Sequence, residues 1–228
     1  MSVAAIVPAA GLGTRFGRGT CKLFTLLNRR PLLVHTLRAL QNAASIRWIQ
    51  VVARPSEHKR ITAFIQRYGI TKALPLCAGG SSRSASVAHG IAHLPSAARW
   101  VLIHDGARPC VTEALIERTV RAAKKTGAAI CALPAAVTVK EAGASGLVKQ
   151  TLNRGSLWFI QTPQVFRRDI IEASLAKAGR RLGRFPDDAA MVEACGYPVK
   201  LVPGELFNIK VTTKSDLVFA EAIARHCR

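Results

Sequence analysis

Short apolar runs rich in β-branched residues alternate along this chain with stretches whose apolar residues recur at helical spacing. This alternation is typical of an α/β fold with a doubly wound, mostly parallel sheet. Because consecutive strands joined by right-handed crossovers form one sheet, we expect a single domain over 1–228. We predict strands at Ala4–Pro8, Ile46–Ala53, Ala73–Cys77, Trp100–His104, Ala128–Leu133 and Val199–Val202, and helices at Leu32–Gln41, Glu57–Tyr68, Ala114–Lys124 and Leu217–Ala224.

The stretch from Ala135 to Leu152 departs from this pattern. It holds two short alternating runs joined by a turn of small residues at Gly143–Gly146, which predicts a β-hairpin. A two-stranded hairpin is marginally stable alone in water. We therefore expect a projecting arm at about 135–152 that packs on a second copy of the chain. The alternative is a surface hairpin that lies back on its own sheet.

Composition excludes several classes of protein. Of 228 residues, 49% are hydrophobic and 20% charged, which indicates a globular chain and not a disordered one. No uncharged run reaches the roughly 18 residues that a membrane-spanning helix needs, so we expect no membrane association. The apolar stretch Val3–Ala10 has no basic residue ahead of it and runs into a glycine-rich turn, which predicts a strand instead of a secretory signal. We expect a cytoplasmic protein.

The chain is strongly basic. Lysine and arginine number 33 against 13 acidic residues, a formal net charge of +20, so polyanions must be considered as partners. The basic residues are spread from Arg15 to Arg228, and aromatic residues make up only 6%, too few for a platform that stacks single-stranded bases. We do not expect nucleic acid as the partner, although a basic nucleic-acid-binding α/β protein stays an alternative.

The six cysteines form no C-x-x-C pair and no metal-ligand spacing with histidine. A chain of this length can bury a core without disulfides. We expect free thiols at Cys21, Cys77, Cys110, Cys131, Cys195 and Cys227.

The segment after the first predicted strand, Pro8–Arg15, has the features of an anion site. Ligands of open α/β sheets bind beyond the carboxyl ends of the strands. Gly11 and Gly13 let backbone amides approach an anion, and Arg15 adds a guanidinium that can hold two phosphate oxygens. The segment matches neither a Walker loop nor a Rossmann fingerprint. Lys22, in a stretch that we predict to be too irregular for a helix, supplies a second cation for phosphoryl or nucleotidyl transfer.

The fourth predicted strand ends in His104-Asp105-Gly106-Ala107-Arg108. An aspartate at the ligand edge followed by a glycine turn is a common way to present a magnesium ligand to a nucleotide phosphate. Capping of the following turn is the alternative role for Asp105. Arg108 is a candidate for a second, incoming phosphate, while we expect His104 to point to the opposite face as a buried, hydrogen-bonded histidine.

The third candidate segment, Gly79–Ser86, leads into a helix. Paired glycines open the backbone to a base edge, and Ser84 or Ser86 adds a hydroxyl that can donate or accept. A serine here could equally be a helix N-cap.

Together these segments resemble the 2-C-methyl-D-erythritol 4-phosphate cytidylyltransferase family. The resemblance covers nearly the whole chain, and ribitol-5-phosphate cytidylyltransferase shares most of it and stays an alternative. The matching motifs are Pro8-Ala9-Ala10-Gly11-x-Gly13-x-Arg15 with Lys22, Gly79-Gly80-x-x-Arg83-x-x-Ser86, His104-Asp105-Gly106-Ala107-Arg108-Pro109, Gln161-Thr162-Pro163-Gln164-x-Phe166 and Asn208-Ile209-Lys210-Val211-Thr212.

The resemblance implies a Rossmann-like nucleotidyltransferase that joins CTP and a sugar-alcohol phosphate, with Mg²⁺ as cofactor and a homodimer whose arm reaches the neighbouring site. Arg15 and Lys22 correspond to residues that stabilise the transition state, and Arg154 and Lys210 to residues that position the acceptor phosphate. Asp105 corresponds to the metal ligand. The nucleotide-binding positions are Pro8, Ala9, Ala10, Gly11, Gly13, Gly80, Arg83, Ser86 and Gly106, and the acceptor-binding positions are Arg108, Thr138 and Thr162.

Several residues depart from the family pattern. Ser81, Val137 and Phe207 stand where acidic residues are common, and Pro186 stands where a threonine contacts substrate. Cys21 and Leu23 replace the residues usual around the lysine. Because no charged residue assigned to the chemistry is lost, the departures bear on which acceptor binds and how tightly.

Overall fold

The computed structural model describes residues 2–11, 16 and 21–226. Its centre is a seven-stranded sheet in the order β11-β7-β10-β6-β1-β4-β5. Within the described part of the chain, β10 alone runs antiparallel to its neighbours in this sheet, β6 and β7. The strands are β1 Val3–Pro8, β4 Ile46–Ala53, β5 Cys77–Ala78, β6 Trp100–Ile103, β7 Ala128–Pro134, β10 Trp158–Arg167 and β11 Lys200–Pro203.

Helices cover both faces of the sheet, as the doubly wound prediction requires. Strand side chains alternate between two apolar clusters, so that Ala5 and Val7 face one layer while Ala4 and Ile6 face the other. The helices are α1 Leu32–Asn42, α2 Pro55–Arg67, α3 Arg83–Ala92, α4 Glu113–Thr126, α5 Arg168–Ala178, α6 Asp188–Ala194 and α7 Lys214–His226.

Four predicted helices are confirmed within a few residues at each end, and the predicted strands lie in the sheet with one qualification. The predicted strand Ala73–Cys77 is mostly irregular: Ala73 makes an isolated bridge to Ile49, and pairing with β4 begins only at Cys77. The sequence pattern does not predict β10, α5 or α6. Strand β10 carries Pro163 in its interior and buries polar side chains, which interrupt the apolar run by which the other strands are recognised.

Two small antiparallel pairs lie outside the central sheet. Strands β2 (Leu26–Leu27) and β3 (Arg30–Pro31) form a short hairpin before α1. Strands β8 (Val139–Ala142) and β9 (Val148–Leu152) form a hairpin arm inside the stretch 135–152. The arm is mostly exposed, and Leu147 at its turn is 73% exposed.

None of the helices formed by the described residues has both the length and the apolar character needed to cross a membrane. The described cysteines, Cys21, Cys77, Cys110, Cys131 and Cys195, are free thiols as predicted, and Cys227 lies outside the described residues.

Candidate active site

The predicted phosphate-binding segment begins directly after β1, at the carboxyl edge of the sheet. The Ala9 amide donates to the Val52 carbonyl at 2.7 Å, which continues the β1–β4 pairing by one residue. Gly11 is exposed, with open space where a side chain would stand. Gly13 and Arg15, which the sequence analysis assigned to the anion site, lie outside the described residues.

The loop Gly79–Ser82 packs tightly against this segment. A Cβ atom on Gly79 would lie 2.3 Å from the Cβ of Ala10, so only glycine permits this approach. Ser82 caps α3 by accepting a hydrogen bond from the Ala85 amide, which makes it the N-cap expected among these serines. The Ser86 hydroxyl donates to the Ser82 carbonyl and accepts from the Gly80 amide at 3.0 Å, so it fixes the loop.

A cavity of about 440 Å³ opens between these two loops and the end of β6. Lys22 lines it from a short 3₁₀ turn, Lys22–Phe24, whereas the sequence predicts an irregular segment there. Its ammonium group donates to the Val211 carbonyl at 3.1 Å. The other lining residues are Pro8, Ala9, Ala10, Gly11, Leu23, Gly80, Ser81, Ser82, Arg83, Ser86, Asp105, Gly106, Ala107 and Lys210.

Asp105 follows β6 directly and is surrounded by cations. Its carboxylate lies 2.8 Å from Lys210 Nζ, 3.1 Å from Arg83 Nε and 3.7 Å from Arg108 Nε. Burial alone would raise the pKa of this carboxyl, but Arg83, Lys210 and Arg108 outweigh burial and hold the pKa well below its ordinary value. Asp105 is therefore ionised at any pH near neutrality.

Arg83, the first residue of α3, joins Asp105 to a second buried carboxylate. Its Nη1 lies 2.6 Å from Asp188, which is fully buried at the start of α6. Burial would lower the pKa of the guanidinium, but the two carboxylates outweigh it and raise that pKa further above its ordinary value. Burial raises the pKa of Asp188 despite its pairing with Arg83.

A second cavity, of about 660 Å³, lies on the other side of this ion-pair cluster. Arg83, Asp105 and Lys210 line both cavities, and we call these three residues the shared wall. Arg108 and Thr162, two of the predicted acceptor-binding residues, line the second cavity, as does Pro186, one of the departures from the family pattern.

Thr162 and His104 are buried next to Asp105 and are hydrogen-bonded to each other. The Asp105 amide donates to Thr162 Oγ1 at 3.1 Å, and the Thr162 hydroxyl lies 3.0 Å from His104 Nδ1. The other ring nitrogen, Nε2, lies 3.3 Å from the Arg108 carbonyl, which can only accept. A neutral His104 with its proton on Nε2 satisfies all three contacts, in agreement with the predicted hydrogen-bonded histidine. Burial lowers the pKa of His104 from 6.5 to about 4.

Thr138 and Arg154, which the resemblance assigns to acceptor binding, lie outside both cavities of this chain. Thr138 is exposed just before β8, and the exposed Arg154 donates to the Ala136 carbonyl at 3.0 Å. A single copy of the chain therefore does not bring them to Asp105.

Three buried polar residues of the site received no role from the sequence. Asp188 follows an N-cap, Asp187, and nothing in a single sequence marks it as the partner of Arg83. Gln161 and Asn208 belong to the motifs that match the family. The sequence signal for them is a polar residue with apolar neighbours, and the structure shows that both side chains are buried.

Comparison with known proteins agrees with this geometry. The family model described as IspD: 2-C-methyl-D-erythritol 4-phosphate cytidylyltransferase matches residues 3–226. A relative of that name from Syntrophus aciditrophicus is 42% identical over 224 residues, covering 98% of this chain and 96% of its own length. A relative of the same name from Desulforamulus reducens is 40% identical and covers 98% of this chain and 96% of its own length.

Solved structures give the same result. The 4-diphosphocytidyl-2C-methyl-D-erythritol synthase of Anaerococcus prevotii superposes with a TM-score of 0.84 at 31% identity, covering 98% of each chain. The 2-C-methyl-D-erythritol 4-phosphate cytidylyltransferase of Thermus thermophilus superposes with a TM-score of 0.79 at 33% identity, covering 99% of this chain and all of its own. The predicted α/β fold and the predicted family are confirmed, and neither the ribitol nor the nucleic-acid alternative gains support. With its motifs, its sheet and its relatives in agreement over nearly the whole length, this chain belongs to the 2-C-methyl-D-erythritol 4-phosphate cytidylyltransferase family.

Proposed function

We propose that this protein transfers a cytidylyl group from CTP to 2-C-methyl-D-erythritol 4-phosphate and releases pyrophosphate. The observation that carries the proposal is the shared wall, since two cavities meet at one cluster of charged side chains, Arg83, Asp105 and Lys210. A reaction between two anionic substrates needs such a meeting point, because the substrates repel each other until cations separate and neutralise them.

The first cavity suits the nucleotide. Its glycine loops bring backbone amides close to the ligand space, which favours a base edge and a phosphate chain over a bulky apolar ligand. Lys22 stands at the cavity beside Asp105 and Lys210. We assign the triphosphate to this end, where Arg15 would join Lys22 in stabilising the charge that develops on pyrophosphate.

The second cavity suits the acceptor phosphate at the end nearest the shared wall, where Arg108 and Lys210 supply positive charge. One oxygen of that phosphate attacks the α-phosphorus of CTP and forms the new P–O bond. The bond from the α-phosphorus to the bridging oxygen of the β-phosphate breaks in line, and pyrophosphate leaves with its electron pair. Because the attacking oxygen is already anionic, no general base is required.

Magnesium is proposed as the cofactor, with Asp105 as its protein ligand. Asp105 is ionised and lines the nucleotide cavity. The described residues contain no cluster of three or more His, Cys, Asp or Glu side chains that could hold a metal alone. These residues fit a cation that is held mainly by phosphate oxygens. When bound, Mg²⁺ supplies neutralisation of the triphosphate charge. Asp105 would then divide its charge between the metal and the cations of the wall.

We further propose a homodimer in which the arm of each chain completes the site of its partner. The arm and the strand beside it expose large apolar side chains that a monomer leaves in water, namely Val137, Leu147, Val148, Trp158, Phe159 and Ile160. In this arrangement Thr138 and Arg154 contact the acceptor in the neighbouring site. Because CTP is a cytoplasmic metabolite, we place the reaction in the cytoplasm.

Pyrophosphate release tests the proposal. The protein is supplied with CTP, Mg²⁺ and either 2-C-methyl-D-erythritol 4-phosphate or ribitol 5-phosphate, and the product is identified by mass. We expect release and a CDP-alcohol with the first acceptor. Preference for ribitol 5-phosphate would transfer the assignment to the related enzyme, and release with neither acceptor would refute both.

A further inference from the structure

Lys210 belongs to a segment with no regular secondary structure. Residues 204–211 follow β11 and precede α7. The Gly204 amide still donates to the Ala132 carbonyl of β7 at 2.7 Å, and residues 205–211 lie in no strand or helix. The ammonium group of Lys210 nevertheless lies 2.8 Å from Asp105, in the shared wall. Some other set of contacts must hold this segment in place.

Two sets of contacts hold the start of the segment. The Glu205 carboxylate accepts from Thr112 Oγ1 at 2.9 Å and from Arg118 Nη2 at 3.3 Å. Gln161 on β10 holds the Glu205 backbone. Its Nε2 donates to the Glu205 carbonyl at 2.9 Å, and its Oε1 accepts from the Glu205 amide at 3.2 Å. The side chain thus forms with the Glu205 backbone the two hydrogen bonds that a paired residue of a neighbouring strand would form. Longer contacts of 3.4 Å join the same carboxamide to the carbonyl and the side-chain amide of Asn208.

Backbone geometry makes this arrangement possible. The pairing register of β10 with β7 shifts between Ile160 and Gln164, so Gln161 leaves the ladder at this point. A Cβ atom on Gly204 would lie 2.5 Å from Gln161 Oε1, so the absence of a side chain there lets the carboxamide reach the segment.

Asn208 joins the segment to Thr162 and Arg108, which line the second cavity. It is fully buried, its Nδ2 donates to the Thr162 carbonyl at 2.8 Å, and its own carbonyl accepts from Arg108 Nη1 at 2.7 Å. Two residues later Lys210 points at Asp105, and the Val211 amide donates to the Ala107 carbonyl at 2.9 Å. The segment is therefore anchored on both sides of Lys210.

We propose that Gln161 is a positioning residue, which acts through Asn208 to hold Lys210 and Arg108 at the acceptor phosphate. The proposal rests on the proposed function for the identity of that phosphate. Gln161 itself does not contact the reacting atoms. Its carboxamide donates two hydrogen bonds and accepts two on one segment. A residue of similar length that donates no hydrogen bond would therefore loosen that segment and leave the nucleotide loops intact.

The test compares Gln161→Met with Gln50→Met. Gln50 is also a buried glutamine of the central sheet whose side-chain amide donates to backbone carbonyls, but it lies on β4 and bonds Val51 and Pro75. We expect Gln161→Met to raise the KM for the acceptor about 10-fold and the KM for CTP by a clearly smaller factor, because Arg108 lines only the second cavity while Lys210 lines both. Gln50→Met should change neither constant. Equal shifts in both KM values for Gln161→Met would overturn the proposal.

A double-mutant cycle shows whether Gln161 acts through Lys210. We expect Gln161→Met to cost much less in kcat/KM for the acceptor when Lys210→Gln is already present, since coupled residues are not additive. Full additivity would contradict the proposal. If Gln161→Met does not fold, Gln161→Glu replaces it. Glutamate keeps the acceptor for the Glu205 amide and the Asn208 side-chain amide, loses both donors and adds a negative charge that faces two carbonyl oxygens.

Hydrogen exchange gives a readout that does not depend on the reaction. We expect amide exchange across 204–211 to accelerate about 10-fold or more in Gln161→Met and to stay unchanged in Gln50→Met. Unaltered exchange would refute the proposed anchor. A wild-type protein inactive on the acceptor would refute the proposed function, while faster exchange in the variant would still support the anchor.

Discussion

At the scale of single residues, the chemistry depends on cations placed where charge develops. Lys22→Ala and Arg15→Ala should each lower kcat by about 10²- to 10³-fold, the effect of removing one preorganised charge-stabilising group. Pyrophosphate release at saturating CTP and acceptor measures it. Lys59→Ala, on the outer part of α2, is the matched control and should turn over normally. Normal turnover in both active-site variants would contradict their assigned roles.

His104 makes folding stability depend on pH. Burial lowers its pKa in the folded state to about 4 from the ordinary 6.5, so the unfolded chain binds the proton more readily. Above pH 6.5 His104 is neutral in both states and does not affect stability. As the pH falls from 6.5 toward 4, protonation of the unfolded chain lowers the free energy of unfolding by about 2 to 3 kcal/mol. Urea unfolding of wild type and His104→Asn at pH 7.5 and pH 4.5 should show a smaller loss in the variant. Equal losses would show that folding does not lower the pKa of His104.

At the scale of elements, Asp188 at the start of α6 should stabilise the fold through Arg83. Asp188→Ala leaves Arg83 with Asp105 as its remaining described carboxylate partner, and we expect a loss of about 2 kcal/mol or more in the free energy of unfolding. Asp169→Ala is the matched control, because the Arg167–Asp169 pair has the same 2.6 Å separation but lies in solvent. A loss below about 1 kcal/mol is expected there, because the ion pair is exposed and Asp169 also accepts one hydrogen bond, from the Ile170 amide at 2.9 Å. Similar losses in the two variants would mean that burial of Asp188 contributes nothing.

The sequence predicted the elements that follow the ordinary patterns and missed those that break them. Short apolar runs rich in β-branched residues predicted β1, β4, β6, β7 and β11, and the positions just after strand ends predicted Asp105 and Arg108 as site residues. Strand β10 was missed because its buried polar residues, Gln161, Thr162 and Gln164, bond to distant segments and so carry no local period. The pairing of Arg83 with Asp188 spans 105 positions, a separation at which local patterns give no information.

At the scale of the whole molecule, the proposed dimer makes each site depend on two chains. Arg154→Ala and Lys210→Ala should each be nearly inactive alone. If the arm acts in the partner's site, mixing and reassociating the two variants creates dimers with one intact site. About a quarter of wild-type activity should return, since half of the randomly formed dimers of an isologous pair are mixed and each has one site of two restored. Activity no higher than that of either variant would place Arg154 in its own chain's site or outside any site.

The central claim is that Arg83, Asp105 and Lys210 form one wall used by both substrates. Asp105→Asn tests it most directly, because the substitution keeps the size of the side chain and removes the charge that pairs with all three neighbouring cations. Steady-state kinetics with each substrate varied in turn should show lower kcat and a weakened kcat/KM for both CTP and the acceptor. Loss confined to one substrate, with the other unchanged, would mean that the two cavities do not share a reacting centre.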